Sequence, residues 1–304
     1  MANKIIFMGT PLFCVPILKS LHQNDYNITA VYTQPPQKSQ RGQKINKSPI
    51  QRISETLNIE YRTPKTLKNN NKEYKFLKDL NADLAIVCAY GQIIPENFLN
   101  LTKKGFVNIH ASILPSWRGA APIQRSIMNL DPETGISIMK IKKELDSGPV
   151  SNIYKIKIDQ NQNAQEISEK LSALAAEKIL DNVDDILEDK AKFIDQDHSK
   201  ATYAKKIDKE ESRIDWDEDA SKIIGKINGL FPSPGASFSF NGERYKILKA
   251  EIGNGIGQVG EIISNQLEVA CNKNQSIKIL EIQRQGKRPQ KISEFMLGSQ
   301  IKKG

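Results

Sequence analysis

The chain has 304 residues, 38% of them hydrophobic and 26% charged, a length and balance suited to two separate cores. Its three cysteines, Cys14, Cys88 and Cys271, stand far apart with no CxxC pair, which argues against a disulfide framework or a zinc cluster and fits a cytoplasmic setting. The apolar run in MANKIIFMGT is too short to span a membrane and has no secretory layout, and a formal net charge of +9 favours an anionic partner.

NKIIFMG reads as a short buried strand ending at Gly9, and PLFCVPILKSLHQ follows with helical spacing after a Thr10-Pro11 turn. Residues 28–33, ITAVYT, form a second expected strand. Residues 34–49, QPPQKSQRGQKINKSP, have no periodicity and suit no core element. NIEYRTPK supplies a third short strand, and a polar helix is expected around 70–80. ADLAIVCAYG, residues 82–91, is an almost unbroken apolar run closed by glycine, as in a central parallel strand. GFVNIH (105–110) and GISIMKI (135–141) are two further strands. A long amphipathic helix over 164–189 is expected to pack through Ile167, Leu171, Leu174 and Ile179.

Strands alternating with helices predict a three-layer α/β domain with a mostly parallel, Rossmann-like sheet over residues 1–189. Residues 190–208 are polar and read as a linker. Beyond them, residues 214–230 read as one helix, followed by short strands punctuated by Gly and Asn. That pattern predicts a small, mostly antiparallel, OB-like barrel over 209–304.

The chemistry concentrates in NIHASILPSWR, residues 108–118. Asn108 and His110 are two apart on a strand, so their side chains share a face, and Asp146 stands just beyond the next strand. An imidazole accepts a proton near neutral pH, a carboxylate orients and supports it, and an amide N–H suits an oxygen that gains negative charge. The set fits attack of an amine on an acyl carbon without an enzyme nucleophile. Ser112 and Ser116 lie outside any G-x-S-x-G, and His110 has no second histidine nearby, so neither a serine nucleophile nor a metal is expected. Gly9-Thr10-Pro11 is not G-x-G-x-x-G, so no NAD site is expected.

NIHASILPSWRGAAPIQRSI resembles the catalytic-loop signature of the folate-dependent formyltransferases, in the version belonging to the branch that formylates methionyl-tRNA. FMGTPLF, VYTQPP, AYGQIIP, residues 135–148 and IDW (214–216) match the same family in its order, so the resemblance covers essentially the whole chain. It implies Asn108, His110 and Asp146 as the catalytic trio, 10-formyltetrahydrofolate as formyl donor, and the α-amino group of methionyl initiator tRNA as acceptor. Tyr90, Gly91, Gln92, Ile93 and Ile94 would border the folate pocket, with Ser112, Leu114 and Pro115 from the catalytic loop.

The resemblance also gives the cationic stretch at 34–49 a role at the acceptor end of the tRNA, through Lys38, Arg41, Lys44 and Lys47. Lys205, Lys206, Arg244 and Arg284 are implied contacts farther along the RNA. A flexible basic loop that orders on phosphates is physically consistent with this. The chain departs from the pattern in three places. Gln37-Lys38-Ser39-Gln40 lacks an arginine common before the Arg-Gly step, Glu144 replaces a glycine, and Pro149 replaces an acidic residue. A formyltransferase of a small amine, such as an amino sugar or glycinamide ribonucleotide, shares the trio and stays open as the alternative. So does an RNA-binding protein built on a decayed formyltransferase core. A monomer is expected, as neither half shows a self-pairing motif.

Overall fold

The computed structural model describes residues 3–39, 44–299 and 301. Among these, the first strands are β1 (Lys4–Gly9), β2 (Asn27–Tyr32), the hairpin pair β3 (Gln37–Ser39) and β4 (Lys44–Asn46), β5 (Tyr61–Arg62), β6 (Leu84–Cys88) and β7 (Phe106–His110). They are followed by β8 (Arg118–Gly119), β9 (Glu133–Lys140), β10 (Val150–Lys157) and β11 (Tyr203–Ala204). The helices over this stretch are α1 (Val15–Gln23), α2 (Pro49–Thr56), α3 (Asn71–Leu80), α4 (Glu96–Leu99), α5 (Pro122–Met128) and α6 (Ala164–Leu187).

The chain divides into two compact units, the first made of Met1–Gly119, Gly135–Ile156 and Glu169–Tyr203. Its sheet has the order β10-β9-β7-β6-β1-β2-β5 among the described residues. Strands β5, β2, β1, β6 and β7 run parallel, and β9 lies antiparallel to β7. β6 is buried along its whole length and β1 beyond its first residue, as parallel strands covered on both faces require. The chain winds outward from β1 to β5 and returns to lay β6 on the other side of β1. The carboxyl ends of β1 and β6 therefore flank the place where the winding reverses, which is where open α/β sheets hold their ligands.

Helix α6 buries Ile167, Leu171, Ala175, Ile179, Val183 and Ile186, a stripe with a period of about four residues. Leu174, expected in that stripe, is half-buried beside it. Several elements lie where the sequence alone gives no helix or strand, among them β3, β4, α2, α5 and β10. Helix α2 starts inside the stretch that lacks periodicity, because Ser48 accepts the Gln51 N–H at 2.9 Å and Pro49 presets the first helical turn. α5 likewise starts on a proline, Pro122. β10 has little apolar signature because it is an edge strand whose residues are mostly exposed or half-exposed.

The second unit comprises Ala120–Thr134, Lys157–Ser168 and Ala204–Gly304. It holds α7 (Ala220–Gly229), β12 (Ser237–Phe240), β13 (Glu243–Gly253), β14 (Glu268–Cys271), β15 (Gln275–Arg284), β16 (Gln290–Lys291) and α8 (Ile292–Met296). The sheet order is β12-β13-β15-β14, with β16 on β15, and every pairing is antiparallel. Its core joins Ile223, Ile227 and Leu230 to Ile247, Ile277, Ile279 and Ile282.

The helix expected over residues 214–230 is shorter at its start. Asp219 has extended backbone at the N-cap, and the preceding residues pair with β12, where Ile214 N–H reaches Ser237 O at 2.8 Å. Gly225 and Gly229, four apart on α7, meet α5. A Cβ on Gly229 would stand 2.6 Å from Met128 Cγ and 2.9 Å from Gln124 O.

Candidate active site

The site lies within the first unit, beyond the carboxyl end of β7. Asn108 pairs with Val87 on one side and Met139 on the other, and His110 pairs with Ser137. Asn108 is the one position of β7 that is not fully buried, and its amide has no hydrogen-bond partner among the described residues. An unused amide donor on a rigid strand is what an oxygen gaining charge requires.

His110 is 5% exposed. Its Nε2 lies 2.9 Å from Trp117 O, and its Nδ1 faces Asp146 Oδ2 at 3.6 Å. A carbonyl only accepts, so Nε2 carries the hydrogen in this arrangement, and Nδ1 is the nitrogen turned to the carboxylate. The Trp117 carbonyl thus holds one ring nitrogen and Asp146 stands at the other.

The loop after β7 is built to aim that carbonyl. Ser112 Oγ donates to Ser116 O at 2.6 Å, Leu114 N–H to Ser137 Oγ at 3.1 Å, and Ser137 Oγ to Ser112 O at 2.7 Å. Trp117 takes a left-handed φ of 60°. It is held by its N–H on Thr202 Oγ1 at 2.9 Å, while Arg118 N–H meets Thr202 O at 2.9 Å. Asp146 also has a left-handed φ, 46°, and its Oδ2 accepts the Gly119 N–H at 2.8 Å. Glu144, which stands where the family pattern has glycine, has no such backbone demand, so the substitution leaves the loop unstrained at that point.

Residues 190–208, expected to be a linker, contribute to this region. Ile194 bridges Val150, and Gln196 contacts Arg118, Asp146 and Gly148. Gln196, His198 and Thr202 had no signal in the sequence beyond being polar residues in a stretch without periodicity.

The expected folate residues fall into two groups. Ile93 is 89% exposed at the carboxyl end of β6, beside the exposed Gly91, whose φ is 83°. Gln92 donates to Pro64 O at 2.8 Å, while its Oε1 is buried without a protein partner in the described residues. Tyr90 and Ile94 instead turn into the core under the sheet. Burial, and to a smaller extent the Glu73 carboxylate, push the Tyr90 phenol well above its usual range. Ser112 is fully buried with its hydroxyl used inside the loop, Leu114 packs on Met139 and Val150, and Pro115 is half-buried.

Of the expected RNA contacts, Lys38 and Lys44 sit on the two strands of the β3–β4 hairpin, and Arg41 lies outside the described residues. Lys47 Nζ is bonded to both oxygens of Glu55, at 2.8 and 2.9 Å. Lys205 and Lys206 are exposed, and their side chains have no ion-pair partner among the described residues. Arg244 binds Ser237 and Ser212 hydroxyls, and Arg284 is ion-paired with Glu243.

Two family models match the chain: Formyl transferase over residues 3–183, and Formyl transferase, C-terminal domain, over residues 206–300. The chain is 66% identical to the methionyl-tRNA formyltransferase of Pelagibacter ubique (strain HTCC1062), covering 100% of this chain and 98% of that protein. It is 39% identical to the enzyme of the same name from Mesorhizobium japonicum, over 100% and 99%. Among solved structures, the sugar 3N-formyl transferase WlaRD, determined with dTDP and 5-N-formyl-THF, superposes with a TM-score of 0.71 at 19% identity, covering 95% of this chain and 100% of that one. HypX from Aquifex aeolicus in complex with tetrahydrofolic acid gives 0.67 at 15% identity, over 98% and 47%. At these identities the two structures share the fold.

Proposed function

We infer that this chain, which belongs to the formyl transferase family, transfers the formyl group of 10-formyltetrahydrofolate to the α-amino group of methionyl initiator tRNA. The structural observation that carries the chemistry is His110, held between Trp117 O and Asp146, two residues after the unused amide of Asn108. The acceptor rests on the 66% identity to a methionyl-tRNA formyltransferase along the full chain.

The folate supplies the formyl carbon, carried on a nitrogen that leaves as a weakly basic amine. The segment from Tyr90 to Ile94 would hold it, through backbone groups and the exposed face of Ile93, together with the Leu114–Pro115 loop. The Oε1 of Gln92, buried and without a partner among the described residues, suits a bound donor group. No metal enters this reading.

The remaining roles fall to side chains of the trio. His110 takes the proton of the attacking amine, and Asp146 stabilises the imidazolium so formed. The Asn108 amide donates to the formyl oxygen as it becomes negative, a contribution that grows in the transition state. Release of the folate amine requires a proton, which His110 returns.

We assign this chemistry to residues 1–189 and support of the RNA to 209–304, with residues 190–208 joining them. Lys38, Arg41, Lys44 and Lys47 meet the acceptor end, and Lys205 and Lys206, exposed and without an ion-pair partner among the described residues, offer cations to phosphates. Lys47, Arg244 and Arg284 are weaker assignments physically, because each is already engaged by protein groups. The enzyme acts in the cytoplasm as a monomer. A transfer assay with labelled formyl donor, offering charged initiator tRNA, charged elongator tRNA and an amino-sugar nucleotide separately, tests the reading. Label on initiator tRNA supports it, and label on the sugar alone rejects it.

A further inference from the structure

We propose that Gln196 is a positioning residue, which fixes the separation of His110 and Asp146 by bolting their two loops together. The inference rests on the function inferred above. Arg118 follows the Trp117 carbonyl that holds His110, and it is 3% exposed. Its guanidinium meets no carboxylate among the described residues. Nε and Nη2 both donate to Gln196 Oε1, at 3.1 and 2.7 Å, and Nη2 also donates to His198 Nδ1 at 3.1 Å. Gln196, 8% exposed, uses its other end on the Asp146 loop, donating from Nε2 to Asp146 O at 2.9 Å and Gly148 O at 2.7 Å.

The chemistry of this bridge admits one orientation and one residue type. Guanidinium only donates and carbonyls only accept, so the amide oxygen must face Arg118 and the amide nitrogen must face the loop. Flipping the amide would break all four bonds. A carboxylate at 196 would satisfy Arg118 and oppose both carbonyls, while an apolar side chain would leave the buried guanidinium with His198 alone and take the donor from both carbonyls. The positive charge of Arg118 also polarises the amide, strengthening the N–H donors it turns to Asp146 and Gly148. Asp146, at one end of the bridge, and Trp117, the neighbour of Arg118 at the other, each sit at positive φ. Such backbone persists only where the surroundings over-determine it. Gln196 supplies that restraint from 50 residues beyond Asp146.

The test uses Gln196→Leu and Gln196→Glu in the full chain, with single-turnover formyl transfer, KM for charged tRNA, thermal unfolding and imidazole 15N shifts. The glutamate variant keeps its Arg118 contact as an ion pair, so it decides the question if the leucine variant does not fold. Both folded variants should lose transfer rate, approaching the 10²-fold expected of roughly 1 Å misplacement, with KM changed by less than about a factor of two. His110 is one of three histidines, and its 15N shifts should move in both variants. Wild-type rates together with unmoved His110 shifts overturn the proposal. If wild-type enzyme transfers no formyl to tRNA, the inferred function fails, and the 15N shifts still decide whether Gln196 sets the His110–Asp146 pair.

Discussion

The imidazole Nδ1 of His110 stands 3.6 Å from Oδ2 of Asp146, and the same oxygen accepts the Gly119 N–H at 2.8 Å. The Asp146 carboxylate thus has two partners among the described residues, one that anchors it and one that it serves. Asp146→Asn keeps an oxygen for Gly119 and removes the charge that supports an imidazolium. The variant should fold normally and lose formyl transfer by roughly 10²-fold or more, the scale of lost acid–base help. Single-turnover transfer at saturating substrates measures this, and an unchanged rate would reduce Asp146 to a loop anchor.

Gly148 is a second way to disturb the same loop. A Cβ there would lie 1.8 Å from Lys140 O, a backbone atom that cannot rotate away. Gly148→Ala should therefore displace the 144–149 loop or lower its stability. Both transfer rate and melting temperature are expected to fall, whereas an alanine at exposed Gly242, where nothing lies within 4 Å, strains only its backbone φ of 76°. Equal activity in Gly148→Ala and wild type would mean that the loop's placement does not matter to the chemistry.

A pH-dependent stability follows from Glu73, beneath the other edge of the sheet. Burial pushes its carboxyl up, but hydrogen bonds from Arg62 at 2.6 and 2.9 Å and from Tyr32 at 2.8 Å more than reverse this, leaving it below its ordinary 4.5. A depressed carboxylate stabilises the fold above about pH 4.5, and the contribution is lost as pH falls through the lowered value. Arg62→Met leaves the burial penalty unopposed except by Tyr32. Its cost at pH 7 should be about 3 kcal/mol, the lower end for a broken buried pair, since Arg62 is partly exposed. The difference from wild type should shrink as pH drops below 4.5 and Glu73 protonates. A difference independent of pH would assign the loss to packing on Phe76, over which Arg62 lies at 3.9 Å.

How much of this was legible in the residues depends on the kind of signal. The buried parallel strands announced themselves as apolar runs, and Asn108 and His110 as a polar pair at the end of one. Ser48-Pro49 is a readable helix start, but it closes a stretch with no apolar periodicity. Edge strand β10 is too polar to stand out from its flanks. Gln196 could not be found in this way. It lies in an aperiodic stretch, and its role comes from four hydrogen bonds to partners 48 to 78 residues away, which only the fold brings together.

The basic residues can be separated by their salt response. Arg41→Ala should chiefly impair use of initiator tRNA and leave folate binding intact, narrowing the preference for acceptor stems with an open first pair. Lys205→Ala and Lys206→Ala should weaken all tRNAs alike and lower the salt dependence, as loss of a phosphate contact does. Values of kcat/KM on matched tRNAs with open and paired stem ends, at two salt concentrations, distinguish the two kinds of contact. Identical kinetics for Arg41→Ala and wild type on every substrate would remove Arg41 from recognition.

The most direct measurement is single-turnover transfer of labelled formyl from 10-formyltetrahydrofolate to charged initiator tRNA, by wild-type enzyme and by His110→Ala. Wild type should deliver the label to the methionyl amine. His110→Ala should be slower by roughly 10²-fold or more with tRNA affinity nearly unchanged. Equal rates in the two proteins would contradict catalysis by the Asn108–His110–Asp146 site.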